Sequence, residues 1–153
     1  MDLCNHSSVG VIVERDGKFL LFQRQKLPIA KAPAAGHVDE FDGIPTGDVT
    51  EERTFRDAAV RELEEETGLR VRPGQMKLVL TTTRANQCRR KTIDGAKHWH
   101  LWRVYQVHVD HQQEPRGNDS ESADLAWYTA SEIAALPDLE SVWREMFQQI
   151  GVI

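Results

Sequence analysis

The sequence predicts an α/β fold in which helices lie over a mixed β-sheet. Three features predict it: two apolar segments joined by a turn near the start, an acidic amphipathic helix in the middle, and an apolar helix at the end. Strand-like and helix-like segments succeed one another along the chain, as expected for packed layers of sheet and helix. The length of 153 residues suits a single domain, residues 1–153, with its own core.

The first predicted element is a β-hairpin. Residues Val9–Glu14 and Lys18–Arg24 are rich in β-branched, aromatic and other apolar side chains, and Arg15-Asp16-Gly17 joins them. A short turn containing Asp-Gly between two such segments is typical of a hairpin. The following residues, 27–53, contain three prolines and three glycines and are predicted to form mostly loop.

An acidic helix is predicted over about residues 55–67. Thr54 with Asp57 is typical of a helix start, and Gly68 provides a left-handed stop. Three glutamates at positions i, i+3 and i+4 share the face of this helix that carries its apolar side chains: Glu62, Glu65 and Glu66. Since carboxylates on one face repel each other, a cation is expected there.

The chemistry of these carboxylates indicates which cation they would bind. Hard oxygen ligands suit magnesium, manganese or calcium, and magnesium commonly completes its coordination with water and substrate phosphates. A phosphate-bearing substrate is therefore expected. The alternative is an acidic helix that is simply solvated.

Two strands and two helices are predicted downstream. Lys77–Thr83 and His98–Val109 have strand composition. The second presents one face predicted to be core, comprising Trp99, Leu101, Tyr105, Val107 and Val109. Trp99 and Trp102 are alternative candidates for stacking a nucleobase. A short helix is predicted over Ser131–Leu136, and an apolar repeat from Leu139 to Ile150 predicts a helix in which Trp143 serves packing.

The segment from Gly47 to Leu69 resembles the Nudix box, the G-x5-E-x7-R-E-U-x-E-E-x-G-U signature of the Nudix hydrolase family, in which U is aliphatic. Eight positions match it: Gly47, Arg61, Glu62, Leu63, Glu65, Glu66, Gly68 and Leu69. Arg53 stands where the first glutamate belongs, and Glu51 and Glu52 are candidates to replace that glutamate. A second alignment opens the box at Gly36-His37-Val38, with an insertion over residues 39–48.

The resemblance implies an α/β/α sandwich and a divalent-metal-dependent pyrophosphohydrolase. Water would attack a phosphorus within the diphosphate of a nucleoside diphosphate linked to another moiety, with Mg²⁺, or alternatively Mn²⁺, as cofactor. The implied metal ligands are Glu62, Glu65 and Glu66. The implied catalytic residues are Glu62, Glu66, Arg61 and Glu121, with Asp124 as an alternative base, and the implied substrate-binding residues are Arg24, Gly36 and Gly47.

Other functions stay open at this point. A diphosphate isomerase of the kind that acts on isopentenyl diphosphate shares this fold and uses a cysteine with histidines. The presence of Cys88 keeps this function open. A non-catalytic nucleotide-binding module is a third class. Cys4, His6, Cys88, His98 and His100 match no standard zinc spacing.

Composition and charge narrow the partners. The net charge is −5, and most of it lies in the acidic helix, which argues against nucleic-acid polymers and anionic membranes. Two cysteines without a secretory signal or a long apolar stretch suit a reducing cytoplasm. The expected partner is a small nucleoside diphosphate derivative, and a homodimer is left open.

Overall fold

The computed structural model of the protein describes residues 3–4, 7–26, 29–38, 52–85, 91–92, 99–118 and 120–153. For residues 3–4, 52–53, 85, 91–92 and 99–100 it describes the backbone alone. The predictions for His6, Gly47, Glu51, Cys88 and His98 therefore lie outside the described residues. So do those for the side chains of Cys4, Glu52, Arg53, Trp99 and His100.

The described elements comprise nine strands, three α-helices and one short 3-10 helix. The strands are β1 (Leu3–Cys4), β2 (Ser7–Arg15), β3 (Lys18–Arg24), β4 (Lys31–Ala32), β5 (Ala34–His37), β6 (Lys77–Ala85), β7 (Lys91–Thr92), β8 (Trp99–His108) and β9 (Ser122–Tyr128). The helices are α1 (Glu52–Thr67), α2 (Ala130–Ala135) and α3 (Ser141–Ile150), and the 3-10 helix is Pro73–Gln75. No helix among the described residues has the length and apolar character needed to cross a membrane.

Seven of these strands form one mixed sheet. Its order is β4-β3-β2-β8-β6, with β5 also paired to β2 and β9 also paired to β3. The β2–β8 pair is parallel and the other pairs are antiparallel. The predicted hairpin of β2 and β3 is confirmed, and it turns at Asp16 and Gly17, which both have positive φ, 55° and 74°. A two-residue turn with positive φ at both positions matches the right-handed twist of the two strands that it joins.

Helices cover both faces of the sheet, as the predicted sandwich requires. On one face α1 packs against Val9, Val11 and Tyr105, which are fully buried. On the opposite face α3 packs against Ile12, Trp102 and Val104. The face of β8 that was predicted to be core does pack in the α1 layer, through Tyr105 and Val107, and α3 buries the second face of the strand as well.

Trp143 of α3 anchors the second layer. It is fully buried, and its ring meets that of Trp102 edge-on with centroids 5.8 Å apart. At Gly10 of β2 any Cβ would overlap the Trp143 indole, so only glycine lets the two come this close. The packing role predicted for Trp143 is confirmed, and Trp102, buried in the same core, is not available to stack a nucleobase.

Other boundaries also differ from the sequence expectations. α1 begins at Glu52, so Thr54 lies inside the first turn, is fully buried, and does not act as the predicted cap. The stretch predicted as loop contains β4 and β5, and β9 was not predicted. β9 carries a register shift opposite Leu21–Gln23 and a positive φ of 53° at Asp124, which interrupts the alternation of a regular strand.

Candidate active site

α1 carries two buried carboxylates on the face that it turns toward the sheet. Glu62 and Glu66 lie one helical turn apart and are 7% and 8% exposed. Their helical neighbours Phe55, Ala58 and Leu63 are fully buried. The carboxylates are thus part of the packed side of the helix, as the position of the glutamates along the helix predicted.

Strand β5 lies against these carboxylates and is built from small residues. The Ala35 amide donates a hydrogen bond of 3.3 Å to Glu66 Oε2. At Gly36 any Cβ would overlap the Glu62 carboxyl group. The missing side chain at Gly36 therefore makes room for Glu62. This is a physical reason for a glycine at a position that was predicted to belong to the site.

An open pocket of about 240 Å³ lies above the two carboxylates. It is lined by Phe22, Arg24, Lys26, Ala35, Gly36, His37, Glu62, Glu66 and Glu121. Most of the described residues predicted for the site, from β3, β5, α1 and the segment before β9, thus meet in one place. Among these lining residues, carboxylates and cations are both present, so the pocket offers partners to a cation and to an anion.

Arg61 and Glu65 lie at the edge of this arrangement. Arg61 donates a 2.9 Å hydrogen bond to Glu62 Oε1, a 3.0 Å bond to the His37 carbonyl, and forms a 3.4 Å ion pair with Glu65. Arg61 therefore ties α1 to the end of β5 and orients Glu62. The Glu65 side chain is 47% exposed and does not line the pocket.

Burial and neighbouring charges change the protonation of the paired carboxylates. Burial raises the pKa of Glu62 to about 7, the Arg61 charge opposes this rise, and the Glu65 charge adds to it. Burial also raises the pKa of Glu66, and the charges of Glu62 and Glu121 raise it further, against the Ala35 hydrogen bond that lowers it. Without a cation the pair is therefore held partly protonated near neutral pH.

Glu121 faces this pair from the segment that leads into β9. Its backbone carbonyl accepts a 3.0 Å hydrogen bond from the Gln25 amide, and its carboxylate lies 3.4 Å from Lys26 Nζ. Its side chain is 30% exposed, which leaves it accessible to water in the pocket. Asp124, the alternative candidate for the base, is exposed on β9 and does not line the pocket.

The cations of the pocket come from the end of β3. Arg24 Nη1 lies 3.6 Å from Glu140 Oε2, and both side chains are largely buried, at 12% and 15% exposure. Arg24 Nε is buried and has no hydrogen-bond partner among the described atoms. Lys26 and Phe22, which were not predicted, also line the pocket. Phe22 lies two residues before Arg24 on β3, and this spacing, which places alternate residues of a strand on one side, is a signal that could have found it. Lys26 lies beyond the end of β3, so this signal does not extend to it.

The two carboxylates fit a divalent cation. Within the described part of the chain, no three His, Cys, Asp or Glu side chains are grouped closely enough to hold a metal ion by themselves. Magnesium commonly needs only one or two carboxylates, because water and substrate phosphates supply its other ligands. A cation held by Glu62 and Glu66 would favour their charged forms and so oppose the burial that raises their pKa values.

Comparison with known proteins assigns the family. The NUDIX domain family model matches residues 5–150. The chain therefore belongs to the Nudix family, as its acidic helix predicted, and with it to the hydrolases that act on phosphorus anhydrides. No curated protein matches the sequence.

Solved structures share the fold at low sequence identity. The MutT NUDIX hydrolase from Burkholderia pseudomallei is 22% identical with a TM-score of 0.68, over 94% of this chain and 96% of that one. The E. coli dihydroneopterin triphosphate pyrophosphohydrolase is 17% identical with a TM-score of 0.67, over 100% of both chains. The NUDIX domain of Shewanella oneidensis NrtR, complexed with ADP ribose, is 16% identical with a TM-score of 0.66, over 97% and 86%.

Proposed function

We propose that this protein is a divalent-metal-dependent pyrophosphohydrolase that cleaves the diphosphate bond of a nucleoside diphosphate linked to another moiety. One observation carries the proposal: Glu62 and Glu66 are buried side by side at the base of a pocket whose wall also carries Arg24 and Lys26. A pyrophosphate bound to a divalent cation matches such a pocket, because the cation pairs with the carboxylates and the remaining phosphate charge pairs with the basic side chains.

The metal ligands proposed are Glu62, Glu65 and Glu66, with Mg²⁺ as the cofactor and Mn²⁺ as its alternative. Glu62 and Glu66 contribute most, because they are buried and line the pocket, whereas Glu65 is half exposed and paired with Arg61. When bound, the cation neutralises phosphate charge and lowers the pKa of a bound water. Arg61 orients Glu62 through their 2.9 Å hydrogen bond.

The substrate's phosphates are proposed to bind Arg24, whose buried Nε has no other partner among the described atoms. Gly36 contributes by its missing side chain, and Gly47 is a substrate-binding residue on the family resemblance alone. Glu121 is the proposed general base and takes a proton from the attacking water. The water oxygen forms a bond to phosphorus, the bridging P–O bond breaks, and the leaving phosphate keeps the electron pair.

The same reasoning defines the proposed partners and compartment. The partner is a small nucleoside diphosphate derivative, not a nucleic-acid polymer or a membrane, and a homodimer is left open. A reducing cytoplasm is proposed on the two cysteines, Cys4 and Cys88, which lie far apart in the sequence and imply no disulfide framework.

A substrate panel tests the proposal. Purified protein with Mg²⁺ is expected to release phosphate or pyrophosphate products from at least one nucleoside triphosphate, nucleotide sugar, dinucleoside polyphosphate or ADP-ribose, and chelation is expected to abolish the release. Isotopically labelled water shows which phosphorus is attacked. Turnover of isopentenyl diphosphate alone would favour the isomerase, and binding without any turnover would favour the non-catalytic module.

A further inference from the structure

The last turn of α1 is held by the segment that carries Glu121. The final carbonyl groups of a helix have no partners within it. Here three successive carbonyls accept hydrogen bonds from Arg116, Asn118 and Ser122. The Glu65 carbonyl accepts from Asn118 Nδ2 at 3.2 Å, the Glu66 carbonyl from Ser122 Oγ at 2.7 Å, and the Thr67 carbonyl from the Arg116 amide at 2.7 Å.

The Ser122 side chain and the Asn118 backbone also make hydrogen bonds within the segment that carries Glu121. Ser122 Oγ accepts a 2.9 Å hydrogen bond from the Asn118 amide, so one hydroxyl bridges the helix and the segment. The Asn118 carbonyl accepts from the amides of Glu121 and Ser122, at 2.8 and 2.7 Å. At Gly117 a Cβ would lie only 2.7 Å from the Ser122 carbonyl oxygen, so the backbone is closely folded on itself.

Ser122 joins the two halves of the pocket. It is 2% exposed, bonds to the backbone of Glu66 on the carboxylate side, and pairs with Arg24 in the β3–β9 register on the cationic side. Glu121 directly precedes it, with its amide bonded to Asn118 and its carbonyl to Gln25. The Glu121 backbone is therefore fixed on both sides, although its carboxylate belongs to an otherwise exposed segment.

From these contacts we infer that Asn118 and Ser122 are positioning residues that hold the Glu121 carboxylate across the pocket from Glu62 and Glu66. The inference rests on the proposed role of Glu121. A proton acceptor must stay within hydrogen-bond reach of the attacking water, and displacement by about 1 Å can cost about 100-fold in rate. The hydrogen bonds from Arg116, Asn118 and Ser122 to the last turn of α1, which together we call the clamp, supply that restraint.

Ser122→Ala, which removes the bridging hydroxyl, tests this inference. We expect kcat to fall between about 10- and 100-fold, while KM and Mn²⁺ affinity change by less than about threefold because the carboxylates of α1 are left in place. Thr129→Ala is the matched control: Thr129 Oγ1 accepts from the Glu132 amide at the start of α2, and Thr129 does not line the pocket. It should lower the melting temperature without lowering kcat.

Non-additivity separates positioning from general structural damage. In a Glu121→Gln background, Ser122→Ala should lower kcat by less than about threefold further, because the group that it positions is already gone. Two results would each overturn the inference: full activity of Ser122→Ala, or losses that multiply in the double variant. If Ser122→Ala is too unstable to purify, Asn118→Ala, which removes the donor to the Glu65 carbonyl, is measured instead.

Amide hydrogen exchange gives a reading that does not depend on turnover. The Glu121 amide should exchange faster in Ser122→Ala than in the wild type or in Thr129→Ala. If the wild-type protein showed no turnover, the proposed function would be refuted but the clamp would not. The clamp would be refuted if the Glu121 amide exchanged at the same rate in Ser122→Ala as in the wild type. Full activity of Glu121→Gln would refute both the role of Glu121 as base and the positioning role built on it.

Discussion

α1 and α3 cover opposite faces of one sheet but bury different chemistry against it. α3 buries Trp143, Met146 and Phe147, all fully inaccessible, and each is apolar apart from one indole nitrogen. α1 buries Phe55 and Leu63 to the same degree, yet Glu62 and Glu66 lie on the same side of that helix. The two helices therefore solve one packing problem in two ways.

The difference shows that buried charge is not needed to hold a helix on this sheet. The charged residues of α3 point away from its core: Arg144 donates to the Ala134 and Leu136 carbonyls, and Glu145 pairs with Arg84 at the surface. In α1, burial of two adjacent carboxylates costs free energy, which is why their pKa values are raised. Ligand binding explains those carboxylates better than folding does.

The largest expected effect comes from removing one of these charges. Glu66→Gln keeps the size of the side chain but weakens the cation site, and we expect kcat with Mg²⁺ to fall roughly 10,000-fold, or about 5 kcal/mol in activation free energy. Glu64→Gln is the matched control on the same helix, since Glu64 is exposed and pairs with Arg70. Steady-state kinetics would contradict the comparison if both variants lost activity equally.

The second effect tests the apolar side. Trp143→Ala should lower the free energy of unfolding by about 4 kcal/mol, as expected for removing a large buried aromatic side chain, while the folded protein keeps the proposed metal site. Trp143→Phe should cost less, because the buried indole N–H has no hydrogen-bond partner among the described atoms. Urea denaturation measures both. If Trp143→Ala instead abolished Mn²⁺ binding in folded protein, the α1 layer and the α3 layer of the sheet would not be independent of each other.

Sequence patterns predicted these two helices well because both depend on local periodicity. The apolar repeat of α3 and the glutamate spacing of α1 are set within a few turns, so each helix face could be assigned without knowing its partner. The order of carboxylates along α1 predicted that Glu62, Glu65 and Glu66 share its apolar face, and Glu62 and Glu66 are buried there. Periodicity could not show that Glu65, on the edge of that face, is half exposed beside Arg61.

The strands that complete the pocket were missed for physical reasons. β5 is Ala34-Ala35-Gly36-His37, whose small residues look like loop but let α1 and the Glu62 carboxyl group approach closely. β9 is interrupted at Asp124, where positive φ breaks the alternation that identifies a strand. The meeting of Glu121 with Glu66 depends on β9 pairing with β3, a contact between distant parts of the chain that no local pattern encodes.

A third, smaller effect is expected at the contact between β5 and α1. In Gly36→Ala the new Cβ would overlap the Glu62 carboxyl group, which is the end of a flexible side chain and can move. We expect between about 10- and 100-fold weaker Mn²⁺ binding, comparable to other changes that misplace a metal ligand, with stability changed by less than about 1 kcal/mol. Gly74→Ala is the control, because nothing lies within 4 Å of its Cβ position. Equal Mn²⁺ affinity in the two variants would contradict this account.

The smallest effect is on stability as a function of pH, and it concerns α1 alone. The pKa values of Glu62 and Glu66 are raised in the folded state. At pH values above the ordinary pKa of a glutamate, the folded protein therefore binds more protons than the unfolded chain. Their contribution to stability is present below about pH 4.5 and is lost as the pH rises through about 7, the pKa of Glu62. Metal-free protein should therefore melt roughly 5 °C lower at pH 8 than at pH 5.

Two changes should remove that loss of stability. Mn²⁺ should raise the melting temperature more at pH 8 than at pH 5, because cation and proton compete for the same carboxylates. Glu66→Gln should make the metal-free melting temperature less dependent on pH, whereas Trp143→Phe should lower it equally at both values. A wild-type melting temperature that rises from pH 5 to pH 8 without metal would mean that burial does not destabilise the charged carboxylates of α1. The contrast between the two helices would then lose its energetic basis.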